Sequence, residues 1–387
     1  MSASTAPSEP PEPPTPPTPP APREPVAPRE PARASVRRPA GRDRAACLAA
    51  LAEGTARFLA PRRPDCPWCG SLRLRTRLRS GDLRLRKPGR FAVDACRDCG
   101  HAFLNPSLTA EGVDFYRWGG QEEAVEHVPE RLLALRGSPR RRRRAARALA
   151  PLTEPESWLD VGTGHARFPD VAREVFPYTA FDGLDATRRV ERARAAGRIE
   201  EAHVGRLTDP HISARLRARY DVVSMFHHLE LAPDPRAELC AALDVLRPGG
   251  HLVVESADPC CLSAALLGKW WLPHDPPRRL HLLPPRNLCA ELTARGCTVV
   301  GTDHRVHVPH DLAGALSLAV SHVLPAPDTP WRALPPGPLR RALRTPLLRA
   351  GLPLVAAAGL ADHLLTPLLR RTPFANTYRV IARKERP

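Results

Sequence analysis

Lysine is almost missing from this sequence. Lys87, Lys269 and Lys384 stand against 55 arginines in 387 residues, aromatic residues make up 5% of the chain, and there are two methionines. The shortage of aromatics argues against the alternation of basic and stacking residues that single-stranded nucleic acid needs. No uninterrupted apolar stretch reaches the ~18 residues of a membrane span. The N-terminus lacks a basic-then-apolar leader, so a cytoplasmic location is expected. The net charge is +17. Such charge can displace counterions from phosphates. Arginine used almost to the exclusion of lysine, beside abundant Ala and Pro, is more simply what a GC-rich coding bias leaves. Charge alone speaks to solubility and non-specific association.

The length suggests two or three folding units at ~100–200 residues each, and 47 prolines mean that part of the chain cannot be packed core. Residues 1–40 hold 14 prolines and read as a disordered or polyproline tail, inert or an SH3-type ligand. Residues 41–63 read as a helical linker with Leu48, Leu51, Phe58 and Leu59 near one face. In 64–104, Leu72–Arg75 and Leu83–Arg86 alternate like strands with one apolar face. Residues 105–150 read as a helical connector ending in Arg140 to Arg144, most simply a solvated face. From 151 to 310 strands and helices alternate, which predicts an α/β fold with a mostly parallel, doubly wound sheet. Residues 311–372 form a Leu/Ala/Pro/Arg-rich helical insertion. It reads as a lid or dimer element, with a membrane-surface role as the weaker reading, and Pro353 and Asp362 argue against a span. Residues 373–387 supply a closing strand and tail.

Ten cysteines in a reducing compartment point to metal ligands or buried thiols. Cys66-Pro67-Trp68-Cys69 and Cys96-Arg97-Asp98-Cys99 are separated by 26 residues, and each is followed by glycine. Two such knuckles aim four thiolates at one point, which predicts a closed, structural zinc ribbon. A site filled by four sulfurs leaves no open position for substrate. Cys240, Cys289 and Cys297 read as packed thiols, and so does the vicinal pair Cys260-Cys261.

Ser157 to Phe168 (SWLDVGTGHARF) ends a strand and enters a helix. Gly162 and Gly164 let a ligand approach the backbone closely. Gly183-Leu184-Asp185 ends the next strand, where a carboxylate can take both hydroxyls of a ribose. YDVVSMFHH (220–228) and LRPGGHLVVE (246–255) follow. This order of motifs resembles the class I S-adenosylmethionine-dependent methyltransferases over about residues 130–305. The zinc knuckles, the phrase CGHAFLNP (99–106), the segment Trp271 to His281 and the closing strand narrow it to the ubiquinone O-methyltransferase-like branch, whose bacterial members often carry an N-terminal zinc ribbon.

The resemblance implies a Rossmann-like sheet and S-adenosylmethionine as cofactor. Asp160, Gly162 and Gly164 would form its loop, Asp185 would bind the ribose, and Thr208 or Asp209 the adenine amine. Met225 and Phe226, with His227, would line the methionine end. The family's third glycine is Ala166 here, its Glu-His is Glu230-Leu231, and one of its histidines is Arg279. Candidate bases are His227, His228 and His281, of which His227 and His281 are preferred. Trp270-Trp271 read as a substrate wall or a core anchor. The expected function is methyl transfer to a small-molecule acceptor by O- or C-methylation, with a homodimer conceivable. The alternatives are an RNA methyltransferase that uses the ribbon and basic surface, and a non-catalytic scaffold.

Overall fold

The computed structural model describes residues 44–117, 139–325 and 327–385. The proline-rich tail, and residues 118–138 of the expected helical connector, lie outside them. All described elements fall in the unit Gly41–Pro387.

The first helix, α1 (Arg44–Ala52), is shorter than the sequence suggests. Gly54, at φ +82°, ends it, and a separate 3-10 turn at Ala56–Phe58 buries Phe58. Next come β1 (Leu74–Ser80), β2 (Phe91–Cys96) and β3 (Ala102–Leu104), paired antiparallel. Leu83–Arg86 is not a strand. The Asp82 carboxylate accepts from the backbone N–H of Arg84 (3.1 Å) and Leu85 (2.9 Å), so the segment closes as a turn, with Leu83 and Leu85 packed inward. Asp favours this local bonding over a ladder.

After α2 (Ala110–Arg117) and α3 (Pro139–Arg147) comes the alternating half: β4 (Ser157–Val161), α4 (Arg167–Ala172), β5 (Ala180–Asp185), α5 (Arg189–Ala195), β6 (Ala202–Val204), α6 (Pro210–Leu216), β7 (Tyr220–Phe226), α7 (Pro235–Val245) and β8 (Leu246–Ala257). Then come α8 (Leu262–Leu267), β9 (His281–Leu282), α9 (Pro285–Ala294), β10 (Cys297–Val306), α10 (Asp311–Val323), α11 (Pro338–Leu369) and β11 (Thr377–Lys384).

Seven strands form one sheet in the order β10-β11-β8-β7-β4-β5-β6, parallel from β8 to β6, with β11 antiparallel to both neighbours. Strands β4, β7 and β8 each carry a short apolar run, Trp158-Leu159, Val222-Val223 and Leu252-Val253-Val254, as burial on both faces requires. Pleating sends Val223 and Met225 of β7 to one apolar cluster and Val222 to the other. The strand order reverses between β4 and β7, and both strands end at the same edge of the sheet. That is where open α/β sheets hold ligands.

Strand β9 joins the other sheet. It pairs with β3 through Phe103↔His281 and Ala102↔Leu282, giving the order β1-β2-β3-β9. Arg278 ties the same segment to the ribbon's turn. Its guanidinium donates to both Asp82 oxygens (2.7 and 2.9 Å) and to Asp275 (2.6 Å), all buried or nearly so. Helix α11 runs unbroken through Pro346, Pro353 and Pro367. By length and composition it could cross a membrane, and 17% of its most apolar window is buried.

Candidate active site

The four cysteines of the two knuckles converge. Their sulfurs all lie within 4.8 Å of one another, with Cys66 Sγ to Cys99 Sγ at 3.7 Å and Cys69 Sγ to Cys96 Sγ at 3.6 Å. A tetrahedral zinc with Zn–S bonds of ~2.3 Å requires S···S edges of about 3.8 Å. The donor set therefore fits zinc by both chemistry and spacing. Each knuckle closes identically: Gly70 N donates to Cys66 O (2.9 Å) and Gly100 N to Cys96 O (3.0 Å), both glycines at positive φ. Burial pushes the Cys99 thiol up to about 11. At Cys96 burial acts the same way but is outweighed by the backbone N–H groups of Cys99 and Asp98, leaving it at about 7.

The ribbon is locked to the large sheet by side chains. Arg236 of α7 stacks over Trp68 at 4.3 Å, donates to Trp68 O (2.7 Å) and pairs with Glu291 (2.9 Å). His101 stacks on His281 with ring centroids 5.2 Å apart. His281 Nε2 lies 3.2 Å from Pro233 O, and its Nδ1 lies 3.1 Å from His101 Nε2. A carbonyl only accepts, so His281 donates through Nε2 and accepts at Nδ1. Burial lowers its pKa to about 4. His281 is thus a neutral ring with both nitrogens engaged inside the ribbon contact. A general base needs a free lone pair facing the acceptor, and in this arrangement His281 presents none.

The cofactor loop follows β4. Gly162 (φ +74°) and Gly164 (φ +56°) are left-handed, and so is Ala166 (φ +52°), where the family has its third glycine. The Asp185 carboxylate at the end of β5 accepts from Gly164 N (3.0 Å), Thr187 N (2.8 Å) and Thr187 Oγ1 (2.6 Å), which fixes it beside the loop. A Cβ on Gly164 would meet nothing within 4 Å, whereas one on Gly162 would strike His228 Nδ1 at 2.5 Å. The loop is therefore open at Gly164 and closed at Gly162. An open glycine turn beside a fixed carboxylate fits a nucleoside cofactor. Asp160 lies under the loop and accepts from Ser224 Oγ (2.6 Å), which itself accepts from Trp158 Nε1 (2.9 Å). Burial pushes Asp160 up to about 6, against the pull of that hydroxyl.

Beyond β6, Thr208 is exposed, and the Asp209 carboxylate accepts from Arg206 N (2.8 Å); the loop is pinned to β5 by Gly205 N to Asp185 O (3.0 Å). Met225, expected in the lining, is fully buried in the core. Phe226 is half-buried against Phe168, with centroids 4.4 Å apart. Trp271 is core, with its indole N–H on Asp311 (3.1 Å).

The two adjacent histidines part company. His228 turns to the loop and Glu238 (2.8 Å). His227 sits at φ +54°, in the left-handed region that few residues other than glycine adopt and that holds some strain. Its Nδ1 lies 3.1 Å from Glu230 Oε1 and its Nε2 lies 3.0 Å from Arg141 Nη2. Guanidinium only donates. The proton of His227 is therefore on Nδ1, bonded to Glu230, and the lone pair is on Nε2.

Around it is a buried cluster that the sequence reading missed. Glu255 pairs with Arg141 and with Arg379 (2.7 and 3.1 Å). Glu230 pairs with Arg279 and accepts from Ser256 Oγ (3.0 Å) and Ala257 N (2.6 Å). Burial would raise both carboxyls, but Arg279 and His227 outweigh it at Glu230, and Arg141 and Arg379 at Glu255. Each is held at about 2. Arg141 is thus no part of a solvated face. A carboxylate closing the apolar run of β8 was the signal that could have found the cluster.

A family model for the methyltransferase domain matches residues 126–302. The ubiquinone biosynthesis O-methyltransferase of Alkalilimnicola ehrlichii is 29% identical over 129 residues, 33% of this chain, and the chain spans about half (49%) of that relative's length. Among solved structures, the [4+2]-cyclase SpnF aligns at TM-score 0.37 and 18% identity, covering 63% of this chain and 81% of its own. An O-methyltransferase family protein from Burkholderia thailandensis aligns at TM-score 0.34 and 15% identity, covering 49% and 55%. Residues 126–302 thus match a methyltransferase domain, and the described part of that span carries the mostly parallel sheet and the glycine loop with a carboxylate fixed beside it.

Proposed function

We propose that this chain transfers a methyl group from S-adenosylmethionine to a hydroxyl of a small-molecule acceptor, with His227 as the base and the ribbon's zinc purely structural. The observation that carries the reading is the His227 geometry: a strained residue at the end of β7, its tautomer set by a buried carboxylate. Bound, the cofactor supplies an electrophilic methyl on a sulfonium, which the acceptor displaces in line. The chain's own residues then have distinct tasks. The loop, open at Gly164, admits the cofactor, Asp185 holds the ribose hydroxyls, and Asp160 supports the loop from beneath. Asp209 and Thr208 border the adenine, and Phe226 walls the reacting end. His227 Nε2 takes the acceptor's proton once Arg141 has moved aside, and Glu230 stabilises the resulting imidazolium through Nδ1. Positioning supplies most of the acceleration. The name of the relative from Alkalilimnicola supports an oxygen acceptor. A small acceptor is favoured over RNA because the arginine at His227, Arg141, is already paired with Glu255.

Calorimetric titration of the zinc-loaded protein with S-adenosylmethionine should give micromolar binding that Asp185→Ala abolishes. No binding at millimolar cofactor would favour the non-catalytic scaffold instead. With hydroxylated aromatic acceptors, His227→Gln should lower kcat by about 10²–10⁴-fold, leaving cofactor affinity intact. Unchanged turnover in that variant would remove His227 from the chemistry.

A further inference from the structure

Among the described residues, the largest group of exposed apolar side chains on one element lies on α11. Leu339, Leu343, Leu347, Leu354, Leu364 and Leu368 of α11 are all exposed, from 45% at Leu347 to 71% at Leu339 and Leu364. At ~100° per residue, and with Leu360 and Leu365 also exposed, they fall within an arc of about 140°. The opposite stripe is the one that packs. Val355, Gly359 and Asp362 are buried, and Gly351 faces Val320 of α10. Asp362 anchors the pair, its two oxygens accepting from Leu312 N (3.0 Å) and Ala313 N (2.9 Å) at the start of α10.

Charge decides what the outer face fits. Residues 329–376 contain seven arginines and a single acid, Asp362, which is 1% exposed and already used. The outward surface of this segment is therefore leucine with cations. Arg340 and Arg349 project near the two edges of the leucine arc, and Arg371 follows the helix end. A second copy would set like charges against each other across a two-fold axis. A bilayer with anionic headgroups has the complementary layering, apolar below and negative above. Lying flat also suits the helix better than crossing. Asp362 and the packed stripe hold it along α10, and a crossing would carry Arg349 into hydrocarbon.

We propose that the outer face of α11 seats this protein on an anionic membrane surface, with its leucines at the acyl boundary and Arg340, Arg349 and Arg371 at the phosphates. The inference is independent of the methyl acceptor. The test is flotation of the full chain with vesicles of phosphatidylglycerol and phosphatidylcholine, against phosphatidylcholine alone. The protein should float with the anionic vesicles and not with the neutral ones. The triple variant L347Q/L354Q/L364Q keeps every charge and should lose binding at least tenfold, with an unchanged circular dichroism melt. R340E/R349E should lose a similar amount. Failure of the wild type to float overturns the proposal. So does a leucine variant that floats like the wild type, because the arginines elsewhere would then be acting non-specifically. A dimer in solution that the leucine variant converts to monomer would reassign the face to a second copy and also overturn it.

Discussion

The seven-stranded sheet and the four-stranded ribbon sheet are held by different materials. The larger one is lined on both faces by its own side chains, including Trp158, Leu159, Phe181 and Tyr220, all fully buried. In the ribbon, β1 alternates arginine with small or apolar residues, and only Leu78 reaches the interior. The apolar cluster beneath it is completed by Ala257, Cys261, Ala264, Trp271 and Leu282, all contributed by the methyltransferase half or the segment that follows it. A sheet this small has too little apolar area to fold alone. The ribbon therefore depends on its thiolates, a buried ion pair and borrowed surface, where the larger sheet depends on bulk burial.

The sharpest way to break this comparison is to remove the metal site. Structural zinc sites contribute about 10–16 kcal/mol in small modules. Cys66→Ser or Cys99→Ser should abolish one equivalent of bound zinc and open residues 64–104 to proteolysis and amide exchange, while β4, β7 and β8 stay protected. Full protection of the metal-free ribbon would show that it has a core after all. The next largest effect is expected from Arg278→Ala. It leaves Asp82 buried without that guanidinium and Asp275 with Arg84 alone, and should cost about 3–5 kcal/mol, read as a lower denaturation midpoint.

Acid separates the two regions by another route. Glu230 and Glu255 are depressed from 4.5 to about 2 in the folded state. Their stabilisation is present above the unfolded value and is lost as pH falls from 4.5 through 2. Asp160, raised from 3.8 to about 6, has the opposite sign: its contribution is complete below 3.8 and lost as pH rises through 6. Stability measured between pH 2 and 7 should fall steeply at the acid end, and Glu255→Gln should flatten that limb. The smallest effect should come from Ala166→Gly. Relief of a left-handed alanine gains about 1–2 kcal/mol, and the lost buried methyl takes back about 0.8 kcal/mol. A net gain under about 1 kcal/mol is expected in denaturant titration, with tighter cofactor binding if the loop relaxes.

Much of the larger sheet was legible because its signals are local: apolar strands, glycine turns and a carboxylate at a strand end all lie within a few residues of each other. The knuckles were legible for the same reason. What stayed hidden depends on distance along the chain. His281 reads like a base until β9 is seen to pair with β3, about 180 residues away in sequence. Arg141 reads like solvent-exposed charge until Glu255, more than 100 residues on, is placed beside it. Met225 was a matter of strand parity, since it shares the face of Val223 and not that of Phe226. Leu83–Arg86 was misread because period-two alternation does not register a preceding aspartate that can bond to the following backbone.

The shared edge strand bears on how this protein can be taken apart. Residues 64–104 look in sequence like an exchangeable cassette, yet their sheet ends on β9, and Leu280 N donates to Glu230 O (2.8 Å) one step from that strand. A chimera that grafts in another ribbon must therefore carry residues 271–282 with it. A shortened chain that begins after the ribbon would leave Leu282 and the edge of β9 bare, within reach of the very turn that holds Glu230.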